Sequence, residues 1–221
     1  MRRLLDRARS HANDPELFAG LVQACRYAGL DRAAITAYEH ARRLDPQVRT
    51  AVNHAYFAVG EYDKVIETDL EDPPISTAMA LDAQGRSAEA VALLRGIEAP
   101  GLPRLFTLII NGLSALFEGN TAAALPAVDA MMQRWPLRDP CASYYLARCL
   151  ARGGHPKALD ILCRSIEGGF HSYTLFMRDP WLDSLRGEPA FQEALALAER
   201  ERREAIDAFL AAGGERILGR P

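Results

Sequence analysis

The residues best suited to chemistry in this chain are four cysteines and five histidines, and neither set has the spacing of a reactive site. The cysteines are Cys25, Cys141, Cys149 and Cys163. None forms a Cys-x-x-Cys pair, and no histidine lies at zinc-ligand spacing from one of them. The histidines, at positions 11, 40, 54, 155 and 171, form no His-x-x-x-His pair. The pattern predicts buried thiols in a reducing compartment and no metal site.

Signatures of phosphate and acyl-transfer chemistry are missing from the sequence as well. The stretch "GGHPKA" has the spacing of neither the P-loop nor the kinase glycine-rich loop. The sequence contains no Gly-x-Ser-x-Gly elbow and no His-Arg-Asp or Asp-Phe-Gly triplet. The acidic pair Glu71 and Asp72 precedes two prolines, which favours a solvated loop over an acid/base pair. The sequence therefore predicts a protein that is not an enzyme and needs no cofactor.

Composition argues against nucleic acid and membrane as partners. The formal net charge is −3, whereas nucleic-acid binding favours a basic face. Apolar runs such as "LFTLII" are far too short to span a bilayer. The first ten residues, "MRRLLDRARS", lack the apolar core of a signal peptide. These observations predict a cytoplasmic protein.

What the sequence does contain is a repeated pattern. Similar stretches begin at five glycines: "GLDRAAI" at 29, "GEYDKVI" at 60, "GRSAEAV" at 85, "GNTAAAL" at 119 and "GGHPKAL" at 153. Five residues after each glycine stands a small side chain, at Ala34, Val65, Ala90, Ala124 and Ala158. An aliphatic residue follows each of them. A fixed spacing of this kind indicates an array of repeats.

Each copy predicts two helices joined by a glycine turn. In the first copy, Asp14 is expected to cap a helix that has Pro15 at its first position. Gly29 can adopt the left-handed conformation that ends this helix, and Asp31 is expected to cap the next one. Pro46 cannot continue that second helix. Because one hairpin cannot bury its apolar face alone, successive copies must stack.

The pattern resembles the tetratricopeptide repeat, which places aromatic, Leu, Gly, Tyr, Ala, aromatic, Ala and Pro at fixed positions. In the first copy these positions hold Phe18, Leu21, Val22, Cys25, Ala34, Tyr38, Ala41 and Pro46. The second copy departs most, because Asp69 and Asp72 stand at core positions and "LEDPP" ends its second helix early. The resemblance implies an all-α fold, namely a right-handed α-solenoid of about five hairpins with a C-terminal helical cap.

Three segments are expected: residues 1–13 as a leading cap helix or half repeat, 14–171 as the repeat array, and 172–221 as capping helices. The last segment should end in a long helix from about Pro189 to Ala212, with "ERERREAID" on a solvated outer face. The tail "DPWLDSLRGEPAFQEAL" is similar to the ends of such repeat segments in bacterial multidomain signalling proteins. Those proteins carry serine/threonine kinase, adenylate cyclase or winged-helix domains, so this resemblance implies a regulatory segment.

The resemblance also implies a binding groove, because the first helices of such repeats line a concave face. The positions assigned to it are Gln23, Arg26, Tyr27, His54, Phe57, Met79, Leu113 and Phe117. The Lys and Asn residues that hold a peptide carboxylate in chaperone-binding relatives are absent, with Ala19 and Gln23 instead. The leading expectation is a scaffold that binds a peptide or helix of a partner protein.

Two alternatives remain open at this point: a regulatory segment of a signalling enzyme, and a sensor that holds a small ligand. The face of the fourth copy is unusually apolar, and it is either covered by the C-terminal helices or open as a hydrophobic groove.

Overall fold

The chain is helical throughout the residues that the computed structural model describes, which are 1–68, 74–97, 103–134 and 138–221. No β-strand occurs within those ranges, and none of their helices is long and apolar enough to cross a membrane. The all-α class expected from the sequence is thereby confirmed.

The helices begin and end as follows: α1 Arg2–Ser10, α2 Pro15–Tyr27, α3 Asp31–Leu44, α4 Val52–Val59, α5 Tyr62–Thr68, α6 Ile75–Ala83, α7 Ser87–Arg95, α8 Arg104–Phe117, α9 Thr121–Arg134, α10 Pro140–Arg152, α11 Ala158–Glu167, α12 Tyr173–Arg178, the 3-10 helix Pro180–Leu185, α13 Pro189–Ala211 and α14 Gly214–Leu218. The first helix and the long α13 lie where the sequence predicted them. The predicted features at Asp69, Glu71 and Asp72, and the first four residues of "LEDPP", fall outside the described residues.

The chain forms two compact units. The first unit comprises Met1–Thr68, His171–Arg178 and Leu195–Pro221, and the second comprises the described residues of Asp69–Phe170 and Asp179–Ala194. The expected boundaries at 14 and 172 therefore do not separate the units. Both the repeat segment and the tail contribute residues to each of them.

In the first unit, consecutive helices pack against each other from α1 to α5. The tail adds α12 against α4, and α14 against both α1 and α3. Its interior is aliphatic and aromatic, with Leu5, Leu21 and Phe209 fully buried. Asp14 caps α2 as expected, since its Oδ1 accepts hydrogen bonds from the amides of Glu16 at 3.1 Å and Leu17 at 3.3 Å.

In the second unit, the strongest packing joins α6 to α7, α8 to α9, and α10 to α11. The 3-10 helix packs on α10. Trp181 and Leu182 of that helix are buried, Leu185 is half-buried, and Phe191 of α13 is buried. Tyr144 and Leu146 of α10 have no exposed surface and lie in the core of this unit.

The same turn recurs in all five copies of the repeat. In each turn one glycine has a left-handed backbone, with φ between +70° and +81°: Gly29, Gly60, Gly85, Gly119 and Gly154. After each of them, an amide donates to the carbonyl five residues earlier, as from Leu30 to Cys25 at 2.9 Å and from Arg86 to Leu81 at 2.9 Å. This helix ending, which is closed by backbone hydrogen bonds around the glycine, satisfies carbonyls that the last turn of the helix would otherwise leave without partners.

The fifth turn corrects the sequence interpretation by one residue. The repeat was aligned on Gly153, but Gly153 has φ −80° and lies in the right-handed region. The left-handed residue is Gly154, and the amide of His155 donates to the Leu150 carbonyl at 2.8 Å. Two consecutive glycines leave the position of the turn open, and α10 extends to Arg152 before the chain reverses.

The small residues after each glycine lie where helices meet. Their exposed fractions are all at most 1%, at Ala34, Val65, Ala90, Ala124 and Ala158. At such positions a larger side chain would separate the two helix backbones. This agrees with the close helix packing that the repeat pattern predicted.

Candidate functional site

A small polar pocket of about 200 Å³ lies beside the first glycine turn, within the first unit. Its lining residues are Gly29, Asp31, Arg32, Val59, Thr174, Arg178, Arg202 and Pro221. Thr174 and Arg178 are four residues apart on α12 and therefore share a face of that helix. The pocket combines three guanidinium groups with one side-chain carboxyl group.

Two glycines allow the tail to reach this pocket. The amide of His171 donates to the carbonyl of Tyr27 at 2.8 Å, which places the segment before α12 against the glycine turn. A Cβ atom at Gly29 would collide with the carbonyl oxygen of His171, and one at Gly60 would collide with the Arg178 guanidinium. Glycine is therefore needed at Gly29 for close approach to the His171 backbone as well as for the left-handed backbone, whereas at Gly60 the left-handed backbone is the main requirement because a flexible guanidinium can shift.

Arg178 and Arg202 are held by backbone carbonyls. Arg178 donates from Nη1 to the carbonyl of Val59, and Arg202 donates from Nε to the carbonyl of Gly29 at 2.9 Å. Arg202 is half-buried, which corrects the expectation that "ERERREAID" forms a solvated face throughout. Arg203, its neighbour, does fit that expectation, because it pairs with Glu199 at an exposed position.

Asp31 is the buried acid of the pocket, with an exposed fraction of 4%. Its Oδ2 accepts a hydrogen bond from the Ser172 hydroxyl at 3.3 Å. Its Oδ1 has no hydrogen-bond partner among the residues that the structure describes. The predicted capping role is wrong, because α3 already begins at Asp31, and no side chain caps that helix at Leu30.

Burial raises the pKa of Asp31 from 3.8 to about 7. The Ser172 hydrogen bond and the charges of Arg202, Arg26 and Arg32 act in the opposite direction, but they do not outweigh the loss of solvation. Near neutral pH the carboxyl group is therefore shared between its protonated and ionised forms. A buried acid with such a pKa inside a pocket is the usual mark of a candidate functional site.

The positive charges of the pocket are only partly balanced. Arg32 pairs with Glu61. Neither Arg178 nor Arg202 forms an ion pair with a carboxylate in the described part of the chain. Together with Asp31, this set can bind a ligand that carries both an anionic group and a hydrogen-bond donor.

No cysteine is among the residues that line the pocket. Cys25 lies on the preceding helix, and burial raises the pKa of its thiol to about 12, so the sulfur stays protonated at physiological pH. No group of three His, Cys, Asp or Glu side chains that could hold a metal ion occurs in ranges 1–68, 74–97, 103–134 and 138–221.

A second buried aspartate, Asp179, lies in the other unit and is fully bonded. Arg148 donates to it from Nε at 2.8 Å and from Nη2 at 3.2 Å, and the Tyr144 hydroxyl donates at 2.6 Å. The amide of Trp181 donates to it at 3.0 Å, which makes Asp179 the cap of the 3-10 helix. The Arg148 guanidinium also lies 4.2 Å from the centroid of the Trp181 ring.

Arg148 decides the ionisation of this second acid. Burial alone would raise the pKa of Asp179, but the charge and hydrogen bonds of Arg148, with those of Tyr144 and Trp181, lower that pKa below its ordinary value. No motif in the sequence indicates this cluster. The signal available was the Asp-Pro pair at 179–180, which is typical of a helix start, whereas nothing in the sequence pairs it with Arg148.

The predicted groove residues divide between the two units, and five of the eight are buried. In the first unit, Gln23 is exposed, Tyr27 and His54 are half-buried, and Arg26 and Phe57 are buried. In the second unit, all three are buried: Met79, Leu113 and Phe117.

The apolar face of the fourth copy is covered within the second unit. Phe117 at the end of α8 packs edge-on against Trp181, with ring centroids 5.8 Å apart. Leu113 is 3% exposed. Of the two possibilities that the sequence left open for this face, the structure supports cover by the tail and not an open hydrophobic groove.

Arg26 is also not the surface cation that the groove required. Its exposed fraction is 4%, and its Nη2 donates to Gln23 Oε1 at 2.9 Å. Its guanidinium lies 4.9 Å from the centroid of the Tyr27 ring. These contacts order the exposed side of α2, where Gln23 and Tyr27 remain accessible.

Comparison of the chain with protein-family models, with curated proteins and with solved structures gives no match. The function has to be inferred from the repeat geometry and from the pocket.

Proposed function

We propose that this chain is a non-catalytic protein-interaction module, built as a right-handed α-solenoid of tetratricopeptide-like hairpins with a helical cap. One observation carries this proposal: the same glycine turn, with the same backbone hydrogen bond, recurs five times between helices that pack on each other. Each turn glycine is followed four or five residues later by a buried small residue. Repeat arrays of this kind present extended surfaces that serve protein binding.

The accessible part of the predicted groove lies on α2 and α4. Gln23 and Tyr27 are on α2, His54 is on α4, and these two helices contact each other in the first unit. A tyrosine held by an adjacent arginine is a typical anchor of a binding surface. We infer that a helix or an extended segment of a partner protein contacts these three side chains.

A photo-crosslinking experiment tests this function. A benzophenone amino acid replaces Gln23 in one variant and Glu201 of α13 in another, and both are expressed in the natural host. We expect the Gln23 variant to crosslink to one or a few proteins, and a further Tyr27→Ala change to reduce that yield by about tenfold, since such an anchor contributes roughly 1–2 kcal/mol. Equal crosslinking from Gln23 and Glu201 would refute the assigned surface.

A further inference from the structure

The pocket of the first unit holds hydrogen-bonding groups that the fold leaves unused. Asp31 Oδ1 is buried and has no partner among the described residues. Arg178 and Arg202 each use one donor on a backbone carbonyl and keep further N–H groups available, because a guanidinium has five. Buried polar atoms are normally satisfied in folded proteins, so an unpartnered carboxyl oxygen on a residue that lines a pocket indicates a ligand group.

We propose that this pocket binds a small zwitterion of the amino-acid type. The ligand's carboxylate lies on the guanidinium groups of Arg178 and Arg202, and its ammonium group donates to Asp31. This inference is independent of the protein-interaction function, because it uses none of the side chains on which that function depends.

The charges of the pocket residues explain why the ligand carries both a negative and a positive group. A plain anion would pair with the arginines, but it would place negative charge beside Asp31 and leave Oδ1 without a donor. A plain cation would satisfy Asp31 but would be repelled by the guanidinium groups of Arg178 and Arg202. A zwitterion meets both requirements, and its carboxylate can accept two hydrogen bonds from one arginine.

Volume limits the size of the ligand. At about 200 Å³ the pocket is smaller than the ~300–1,000 Å³ that drug-sized ligands occupy. A peptide segment or a nucleotide does not fit such a space, whereas a single amino acid does. Thr174, which also lines the pocket, adds a hydroxyl that can bond to either end of the ligand.

Calorimetry and thermal unfolding with the full chain test the proposal. The probes are the twenty protein amino acids, each added alone, with inorganic phosphate and acetate as plain anions. We expect at least one amino acid to bind and to raise the melting temperature by a few degrees at about 100 times its Kd. The N-acetylated form of that amino acid and its decarboxylated amine should each bind at least about tenfold more weakly.

Variants then locate the binding. Asp31→Asn keeps the shape of the side chain, and Arg178→Gln removes one guanidinium. Each variant should bind the amino acid about tenfold more weakly or worse. Arg203→Gln, an exposed change on α13, is the matched control and should leave the affinity unchanged. Circular dichroism establishes whether each variant is folded. If Arg178→Gln does not fold, Asp31→Asn alone provides the binding test.

Two results would overturn the proposal. If no amino acid binds the wild-type chain, the pocket is not an amino-acid site. If phosphate or acetate binds equally well to the wild type and to Asp31→Asn, the pocket is a plain oxyanion site. Crosslinking from Gln23 is unaffected by either result, so the two functions can fail separately.

Discussion

Asp31 and Asp179 are equally buried, each with an exposed fraction of 4%, yet their pKa values move in opposite directions. Asp179 accepts hydrogen bonds from Arg148, Tyr144 and the Trp181 amide, and its pKa is lowered. Asp31 accepts one long hydrogen bond from Ser172, and its pKa is raised to about 7. Burial alone therefore does not determine the state of a carboxyl group; the number and charge of its partners do.

The same contrast distinguishes a buried acid that stabilises the fold from one that can bind a ligand. A buried acid with all of its bonds made contributes to the fold, and in the second unit Asp179 joins the 3-10 helix to α10. A buried acid with an oxygen left over destabilises the fold unless something binds to it. The first unit carries that cost at Asp31, where the pocket lies. The predictions below test this difference.

The largest effect is expected at Asp179. Asp179→Asn removes one partner of a buried ion pair and leaves Arg148 charged without a counterion, which should cost about 3–5 kcal/mol of unfolding free energy. Because the folded pKa is lowered, the stabilisation is present above the unfolded value of about 3.9 and is lost as pH falls through the folded pKa. Urea unfolding at pH 7 and at pH 3 measures both effects.

Asp160→Asn is the matched control for Asp179. Asp160 pairs with Arg164 at i,i+4, and both side chains are more than half exposed. Such surface pairs contribute roughly 0.3–0.5 kcal/mol. An equal loss from both aspartates would mean that the Arg148 cluster is not a buried ion pair in solution.

The next largest effect is expected at the repeat glycines, where the free-energy cost of substitution by alanine should differ between the two units. Gly29 and Gly85 have nearly the same φ, +71° and +77°, so Ala at either position should cost about 1–2 kcal/mol for the left-handed backbone. At Gly85 a Cβ meets nothing within 4 Å, whereas at Gly29 it collides with the His171 carbonyl. We expect Gly29→Ala to cost about 3 kcal/mol in thermal or urea unfolding. Equal losses would show that the tail does not lie on the first turn.

Asp31→Asn should stabilise the chain at high pH. The folded pKa of about 7 lies above the unfolded value of 3.8, so the wild-type carboxyl favours folding fully below pH 3.8, and this contribution is lost as pH rises through 7. The charged and polar groups that face this carboxyl are Arg202, Arg26, Arg32, Ser172 and the Cys25 thiol. At pH 8 the variant should be more stable by roughly 2 kcal/mol.

The pH profile decides how that result is interpreted. Unfolding free energies of the wild type should fall between pH 4 and pH 8 relative to those of Asp31→Asn, because only the wild type gains a buried charge. The difference should vanish near pH 4, where Asp31 is protonated in the folded state. A constant difference across this range would indicate a packing effect of the amide and would remove the ionisation argument.

The sequence was sufficient for the local structure, because each turn depends on neighbours within six residues. Gly29, Asp14 with Pro15, and the buried Ala34 all act through their own helix or the adjacent one. The pocket depends on contacts between Asp31 and Ser172, and between Gly29 and Arg202, which are 141 and 173 residues apart along the chain. No periodicity encodes such pairs, so Asp31 was interpreted as a helix cap and Arg202 as a solvated residue.

The smallest effect is expected within α13, at two adjacent arginines that sequence alone cannot distinguish. Arg202 donates to the carbonyl of Gly29 at 2.9 Å, while Arg203 pairs with the exposed Glu199. Arg202→Gln should cost about 1–1.5 kcal/mol, since it leaves a part-buried carbonyl without its charged donor. Arg203→Gln should change the unfolding free energy by no more than about 0.5 kcal/mol. Even this change should disappear in high salt, because exposed ion pairs are screened. Urea unfolding at low and high salt separates the two. If Arg202→Gln proves as neutral as Arg203→Gln, then α13 does not hold the first glycine turn, and Arg202 does not line the pocket.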